Sequence, residues 1–209
     1  MNPSETLHFY TTWIIRLIYL NVLWILFTII GFVIFGLFPA TTGLFTVIRK
    51  WLMKESGFTI THTFWKAYKE EFKRANLAGL IFFIIGLIAY VDLQFIQLHH
   101  GFPYNFLFYT LIFIIVSFIV TVFFFFPVFV YFDLKLLKNI KQSFLIGITN
   151  PLSLLIMIAG LILIWFAIRI LPGILPFFSV NLLGFIFMWA ALRAFRQVEN
   201  KFLSEYSKD

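Results

Sequence analysis

Cysteine is absent from this sequence, and charged residues are scarce. With no cysteine in 209 residues, the chain cannot contain a disulfide, a thiolate zinc site or a cysteine nucleophile. Only 12% of the residues are charged, and Asp and Glu together number nine. The sequence therefore offers few acidic residues from which a catalytic pair of carboxylates, as used in general acid and base catalysis, could be formed.

The common catalytic motifs are also missing. The sequence contains no phosphate loop of the form G-x-x-x-x-G-K-[ST], no G-x-S-x-G elbow and no H-E-x-x-H. His99 and His100 are adjacent, and neighbouring side chains on a helix point about 100° apart, so they do not predict a bidentate metal site. We expect a protein that is not an enzyme and that holds no metal or cofactor.

What the chain has in abundance is apolar surface. Hydrophobic residues make up 62% of it, aromatic residues 22%, and the 31 phenylalanines alone exceed what a core of this size can bury. The mean hydropathy is +0.98. These values predict an all-α polytopic membrane protein whose phenylalanines face acyl chains.

Five segments are long and apolar enough to cross a bilayer, which takes about 20 residues of helix. They are Trp13 to Phe38, Ala75 to Gln97, Tyr104 to Phe132, Pro151 to Leu171 and Phe177 to Phe195. The sequence thus predicts a single membrane domain, residues 1–209, with five transmembrane helices and cytoplasmic amphipathic helices in the connection 39–74.

The distribution of basic residues predicts the orientation. Of the 16 Lys and Arg, seven lie in the connection 39–74, three follow the third segment and four lie from Arg193 onward. By the positive-inside rule, the N-terminus is then outside and the C-terminus cytoplasmic, which agrees with an odd number of spans. The net charge of +7 is not arranged as a groove with stacking aromatics, so we expect anionic lipid headgroups and no nucleic acid as its counter-charge.

The connection 39–74 has helical apolar periodicity. Leu44, Val47, Ile48, Trp51 and Leu52 recur at the spacing of one helix face, and a second helix is predicted to start near Thr59 or Thr61. Their basic sides form a candidate surface, either for docking a partner or for resting on lipid headgroups. This surface comprises Arg49, Lys50, Trp51, Lys66, Lys69, Lys73 and Arg74.

Three ionisable residues fall near the predicted outer ends of spans. Arg16, Asp92 and Arg169 are at similar predicted depth, where charged groups usually face a bundle interior and pair. They form a candidate outer-leaflet ionic cluster. It is either a structural ion pair with one arginine reaching to the headgroups, or an anion site in which one arginine is left to bind a carboxylate.

Several short motifs resemble a known family. "FGLFPAT" (35–41), "NLAGL" (76–80) and "YVD" (90–92) are similar to segments of the YesL family of bacterial integral membrane proteins, which includes YteU-like members, and the likeness is strongest from Asn21 to about Phe95. The family is of undetermined function and is often encoded beside sugar importers and pectin-degrading enzymes. The resemblance implies a location in the bacterial plasma membrane and a role accessory to oligosaccharide import, and it supplies no catalytic residues.

Three classes of function remain. The first is a non-enzymatic accessory or scaffold of a carbohydrate ABC import system, with a sugar-import permease as partner. The second is an independent small-solute transporter or channel acting as a homo-oligomer, which needs a polar path between spans. The third is an enzyme acting on lipid or lipid-linked sugar, for which the sequence provides no nucleophile and base at one depth.

Overall fold

The computed structural model of the chain describes residues 3–98, 101–170 and 175–206. These residues form helices and connections, with no strand among them. The helices are α1 (Pro3–Ile30), α2 (Ile34–Leu52), α3 (Ile60–Gln97), α4 (Phe102–Tyr131), α5 (Leu136–Thr149), α6 (Pro151–Ile170) and α7 (Leu175–Tyr206). The all-α class that the composition predicts is confirmed.

The first predicted span, 13–38, is wrong as a single helix. The chain turns at residues 31–33, where Phe32 and Val33 have positive φ angles of 54° and 62°. The helix α2 then folds back along α1, because Gly31 and Gly36 have no Cβ and let the two backbones touch. Farther along the same hairpin, Trp24 donates a hydrogen bond to Thr41 over 3.1 Å.

The hairpin changes the environment of the predicted amphipathic helix. Leu44, Val47 and Ile48 are fully buried, and α2 packs against α1, α3, α4 and α7. Gly184 of α7 lies directly against the side chains of Leu44 and Ile48. The apolar face of α2 is therefore covered by other helices of the same protein.

Within the described residues, four helices are long and apolar enough to cross a membrane. They comprise Tyr10–Ile30, Ile60–Gln97, Pro103–Tyr131 and Pro151–Ile170. Only 11% of the residues in the most apolar window of α3 are buried, so that part of the helix faces outward. The predicted span 177–195 lies inside α7, and its crossing stays a prediction.

The helix α3 is longer than a span requires. Its 38 residues correspond to about 57 Å of helix, against a hydrocarbon core of about 30 Å. The apolar residues occupy its second half, while Lys66, Lys69, Glu70, Glu71, Lys73 and Arg74 lie in the first. The predicted second span and the predicted basic helix are thus one continuous element, whose charged half extends outside the membrane-spanning part.

Candidate functional site

The basic connection contains two arginines that bind main-chain oxygens at and just after the C-terminal end of α4. Arg49 donates a hydrogen bond from Nη1 to the carbonyl oxygen of Val130 over 2.7 Å, and Arg74 donates one from Nη2 to the carbonyl of Leu134. The last carbonyls of a helix have no partner within the helix, and α4 has no basic residue of its own in its last turn. The Arg49 guanidinium of α2 satisfies one of them, at Val130, and also complements the negative end of the helix dipole. Leu134, to which Arg74 of α3 donates, lies in the connection between α4 and α5.

Arg74 is the centre of a small charged cluster. Its Nη1 lies 3.0 Å from the Glu71 carboxylate and 3.6 Å from that of Asp133, and the guanidinium sits 5.1 Å from the Phe129 ring centre. Burial raises the pKa of the Glu71 carboxyl, an effect that Arg74 opposes. The i,i+4 pairing of Glu70 with Arg74 that the spacing permits is replaced by the i,i+3 pair with Glu71.

Lys50 and Trp51 are also engaged within the molecule. Lys50 forms an ion pair of 3.2 Å with Glu55 and lies 5.1 Å from the Phe58 ring centre. Trp51 packs edge-on against Trp13 at 5.5 Å between ring centres and stacks on Phe185 at 5.8 Å. Trp51 is therefore part of the contact between α1, α2 and α7.

Three lysines of the candidate surface remain exposed on α3. Lys66, Lys69 and Lys73 form no ion pair within the part of the chain that the structure describes. Beside the last two lies an open cleft of about 500 Å³, lined also by Trp65, which is 46% exposed, and Phe72. The surface predicted from the sequence thus separates into residues with contacts inside the protein, Arg49, Lys50, Trp51 and Arg74, and an exposed lysine row, Lys66, Lys69 and Lys73.

The structure does not join the predicted outer-leaflet cluster by ion pairs. Arg16, Asp92 and Arg169 are all exposed, and no ion pair or hydrogen bond links them among the residues described. Arg16 instead lies 5.7 Å from the Trp13 ring centre and Arg169 lies 4.3 Å from that of Trp165. Each arginine uses an aromatic side chain one turn earlier on its own helix.

Buried polar contacts tie α1 to α7. Asn181 is fully buried and donates a hydrogen bond from Nδ2 to the carbonyl of Leu17, and Asn21 on α1 is 1% exposed. Within the described residues, no group of three or more His, Cys, Asp or Glu could hold a metal ion. His99 and His100 lie outside those residues.

Sequence reasoning missed the role of the two arginines at the end of α4. The available signal was the absence of a basic residue in the last turn of α4, next to a connection rich in arginine. Which arginine reaches which carbonyl depends on the packing of α2 and α3 against α4, and no periodicity in the sequence encodes that packing.

Comparison with known proteins identifies relatives along nearly the whole chain. The family described as "Protein of unknown function, DUF624" matches residues 17–93, where the sequence resemblance is strongest. Three Bacillus subtilis (strain 168) proteins, each described as uncharacterized, are similar to this chain. YteU is 38% identical over 191 residues, which are 90% of this chain and 84% of that protein. YesL is 34% identical over 198 residues, which are 95% of this chain and 93% of that protein. YesV is 32% identical over 194 residues, which are 89% of this chain and 89% of that protein.

No solved structure matches this chain. The identities and coverage of the three Bacillus relatives establish the family on their own, and they confirm the resemblance first seen in the short motifs. The chain therefore belongs to the YesL/YteU-like DUF624 family of proteins of unknown function.

Proposed function

We propose that this protein is a non-enzymatic accessory or scaffold subunit of a carbohydrate ABC import system in the bacterial plasma membrane. The observation that carries the proposal is the exposed lysine row on α3, with the open cleft between Trp65, Phe72, Lys69 and Lys73 beside it. A partner segment with acidic and apolar side chains is complementary to such a surface. We name a sugar importer as the partner because of the resemblance to the YesL family.

The anchoring of α3 supports this role. Arg74 attaches the charged half of α3 to the connection between α4 and α5, and α3 packs along α2, whose apolar face is buried. A rigid helix loses little conformational entropy when a partner binds, so a surface on it is well suited to docking. The lysines themselves take part in no internal ion pair among the described residues and are free for a partner.

The alternative of an independent transporter receives less support. A polar path between spans requires ionisable or amide groups along an accessible interior. Asn21 and Asn181 are buried, and Asp92, Gln94 and Arg169 are exposed on the outside of their helices. These positions offer a small solute no continuous polar lining within the described residues.

We further propose that both termini are cytoplasmic. The contact between Trp13 and Trp51 supports this orientation, because it sets the start of α1 at the depth of Arg49, Lys50 and Lys54. The positive-inside rule assigns that depth to the cytoplasmic side. This proposal revises the outside N-terminus that follows from counting five spans, since the α1–α2 hairpin returns the chain to the side where α1 begins.

Co-purification tests the accessory role. The full chain, tagged at the C-terminus, is solubilised from native membranes in a mild detergent, and its partners are identified and quantified by mass spectrometry. We expect a sugar-import permease in near-stoichiometric amount, and we expect Lys69→Gln with Lys73→Gln to lower its recovery severalfold. Lys138→Gln with Lys141→Gln, which removes the same charge from α5, is the matched control. Recovery of the protein alone as a uniform oligomer would contradict the proposal and favour the transporter.

A further inference from the structure

A second cleft lies on the basic side of the molecule, between α2, the loop 53–59 and the first turns of α3. Its volume is about 450 Å³. Thr46 and Lys50 contribute from α2, Phe58 from the loop, and Thr63 and Lys66 from α3. Polar and basic side chains thus line a space that adjoins the cleft beside Lys69 and Lys73, with Glu70 lining both.

The N-terminus of α3 opens into this cleft. Thr59 is the N-cap, and its side chain makes no capping hydrogen bond. The first hydrogen bond of the helix runs from the N–H of Thr63 to the carbonyl of Thr59, so the N–H groups of residues 60–62 have no partner within the helix. Such N–H groups, together with the positive end of the helix dipole, bind anions.

Thr63 provides an independent indication of a ligand. It is only 8% exposed, it lines the cleft, and its hydroxyl makes no hydrogen bond within the described residues. Threonines in apolar helices usually bond to the carbonyl one turn earlier, as Thr42 and Thr46 do over 3.0 and 2.8 Å. The Thr63 hydroxyl lacks that bond and is not among the fully buried polar atoms, so it opens onto the cleft and can hydrogen-bond a ligand there.

The charges around the cleft favour a negative ligand near the helix start. Lys66 forms no ion pair among the described residues, and Lys50 is held at the cleft by Glu55. Glu70 also lines the cleft, one turn beyond Lys66, so an anion is favoured at the Thr59 end and disfavoured at the Glu70 end. A phosphate group, with several acceptor oxygens, matches the backbone N–H groups, the hydroxyl and the amines together.

We propose that this cleft is a binding site for a phosphate group, carried either by an anionic phospholipid or by a soluble phosphate ester. The Thr63 hydroxyl, the Lys66 amine and the N–H groups at the start of α3 are its donors. Lys66 also belongs to the exposed lysine row of the proposed accessory role, but the test of that role changes only Lys69 and Lys73, so the two proposals can fail separately.

Ligand binding by the full chain in dodecyl maltoside, prepared without phosphate, tests the site. Native mass spectrometry measures retention of phosphatidylglycerol against diacylglycerol, which lacks the phosphate. Thermal unfolding measures stabilisation by inorganic phosphate. Both are repeated with Thr63→Val combined with Lys66→Gln, and with Lys141→Gln as a charge-matched control on α5. If the double variant does not fold, Lys66→Gln alone replaces it in both measurements, because Lys66 is exposed and its substitution should not disturb folding.

The wild type and the control should bind, and the double variant should bind at least about tenfold more weakly. Selective retention of phosphatidylglycerol that inorganic phosphate does not displace identifies the lipid headgroup as the source. Stabilisation by inorganic phosphate, lost in the variant, identifies a soluble phosphate. Equal binding by wild type and variant, or no selectivity for phosphatidylglycerol together with no stabilisation by phosphate, would overturn the site.

Discussion

Side chains of the same charge have different surroundings in the basic connection. Arg49 and Arg74 bond to main-chain oxygens at the end of α4, while Lys69 and Lys73 extend from the surface. The planar guanidinium presents several donors at fixed angles, and its weak hydration makes partial burial cheaper than for an ammonium. This difference explains why the two arginines, and not the lysines, are the internal contacts.

Replacing Arg49 should weaken the attachment of α4 to α2. Arg49→Gln removes the hydrogen bond to the Val130 carbonyl and the attraction to Glu55, and we expect a loss of about 1–2 kcal/mol in the free energy of unfolding. Thermal unfolding in detergent measures it, with exposed Lys138→Gln as the control. Equal unfolding temperatures for the Arg49 variant and the wild type would show that this hydrogen bond contributes nothing.

Asp92 should be nearly neutral for stability. The side chain is exposed and forms no ion pair among the described residues, so Asp92→Asn is expected to change the free energy of unfolding by less than about 0.5 kcal/mol. The same detergent unfolding assay measures it, and Arg169→Gln, at the other arginine that the sequence offers as a partner of Asp92, gives the companion value. A loss well above that figure in both variants would restore the structural ion pair that the sequence predicts.

At the scale of elements, the α1–α2 hairpin determines the arrangement of the first half of the chain. Its turn requires two close backbone approaches, at Gly31 and Gly36, and two non-glycine residues with positive φ. Such a conformation is unfavourable in isolation and persists only where surrounding packing compensates. The burial of Leu44, Val47 and Ile48 on the returning helix provides that compensation.

An alanine in the hairpin should be strongly destabilising. A Cβ at Gly36 would collide with the carbonyl oxygens of Phe27 and Thr28, which are backbone atoms and cannot move aside cheaply. We expect Gly36→Ala to cost about 1–3 kcal/mol. Gly86→Ala on α3 is the matched control, because a Cβ there meets nothing within 4 Å. The control should be neutral or stabilising by up to about 1 kcal/mol, from helix propensity. Similar unfolding temperatures for the two variants would contradict the close approach.

At the scale of the whole molecule, the hairpin brings the N-terminal part of α1 to the end where the basic connection lies. The start of α1 lies beside the end of α2, and the charged half of α3 follows directly after a short loop. The turn 31–33 at the other end of the hairpin contains no Lys or Arg. The basic residues therefore gather at the end of the molecule where α1 begins.

Reporter fusions at both termini test this orientation. A reporter that is active only in the cytoplasm is fused before Met1 in one protein and after Asp209 in another, and both should be active. A silent N-terminal fusion with an active C-terminal one would reinstate the five-span arrangement. A silent C-terminal fusion would contradict both arrangements. Protease protection of the same fusions in sealed vesicles provides the control for reporter folding.

The sequence by itself determined the class of the protein and its membrane segments in outline. Hydropathy and length depend only on local composition, so the apolar windows in α1, α3, α4 and α6 were predictable without any packing information. Helical periodicity likewise identified the apolar face of α2 and the basic face of α3. The short motifs pointed to the family that the comparisons establish.

Only the tertiary structure decided what those faces meet. The apolar face of α2 is covered by α7 and α4, and the arginines predicted for a surface reach the end of α4 and the connection that follows it. The cleft between α2, the loop 53–59 and the first turns of α3 also arises from the way these elements pack together. These outcomes depend on contacts between residues far apart in the chain, made possible by the two glycines at the hairpin turn. A pattern within one helix specifies which side is apolar, but not which neighbour covers it.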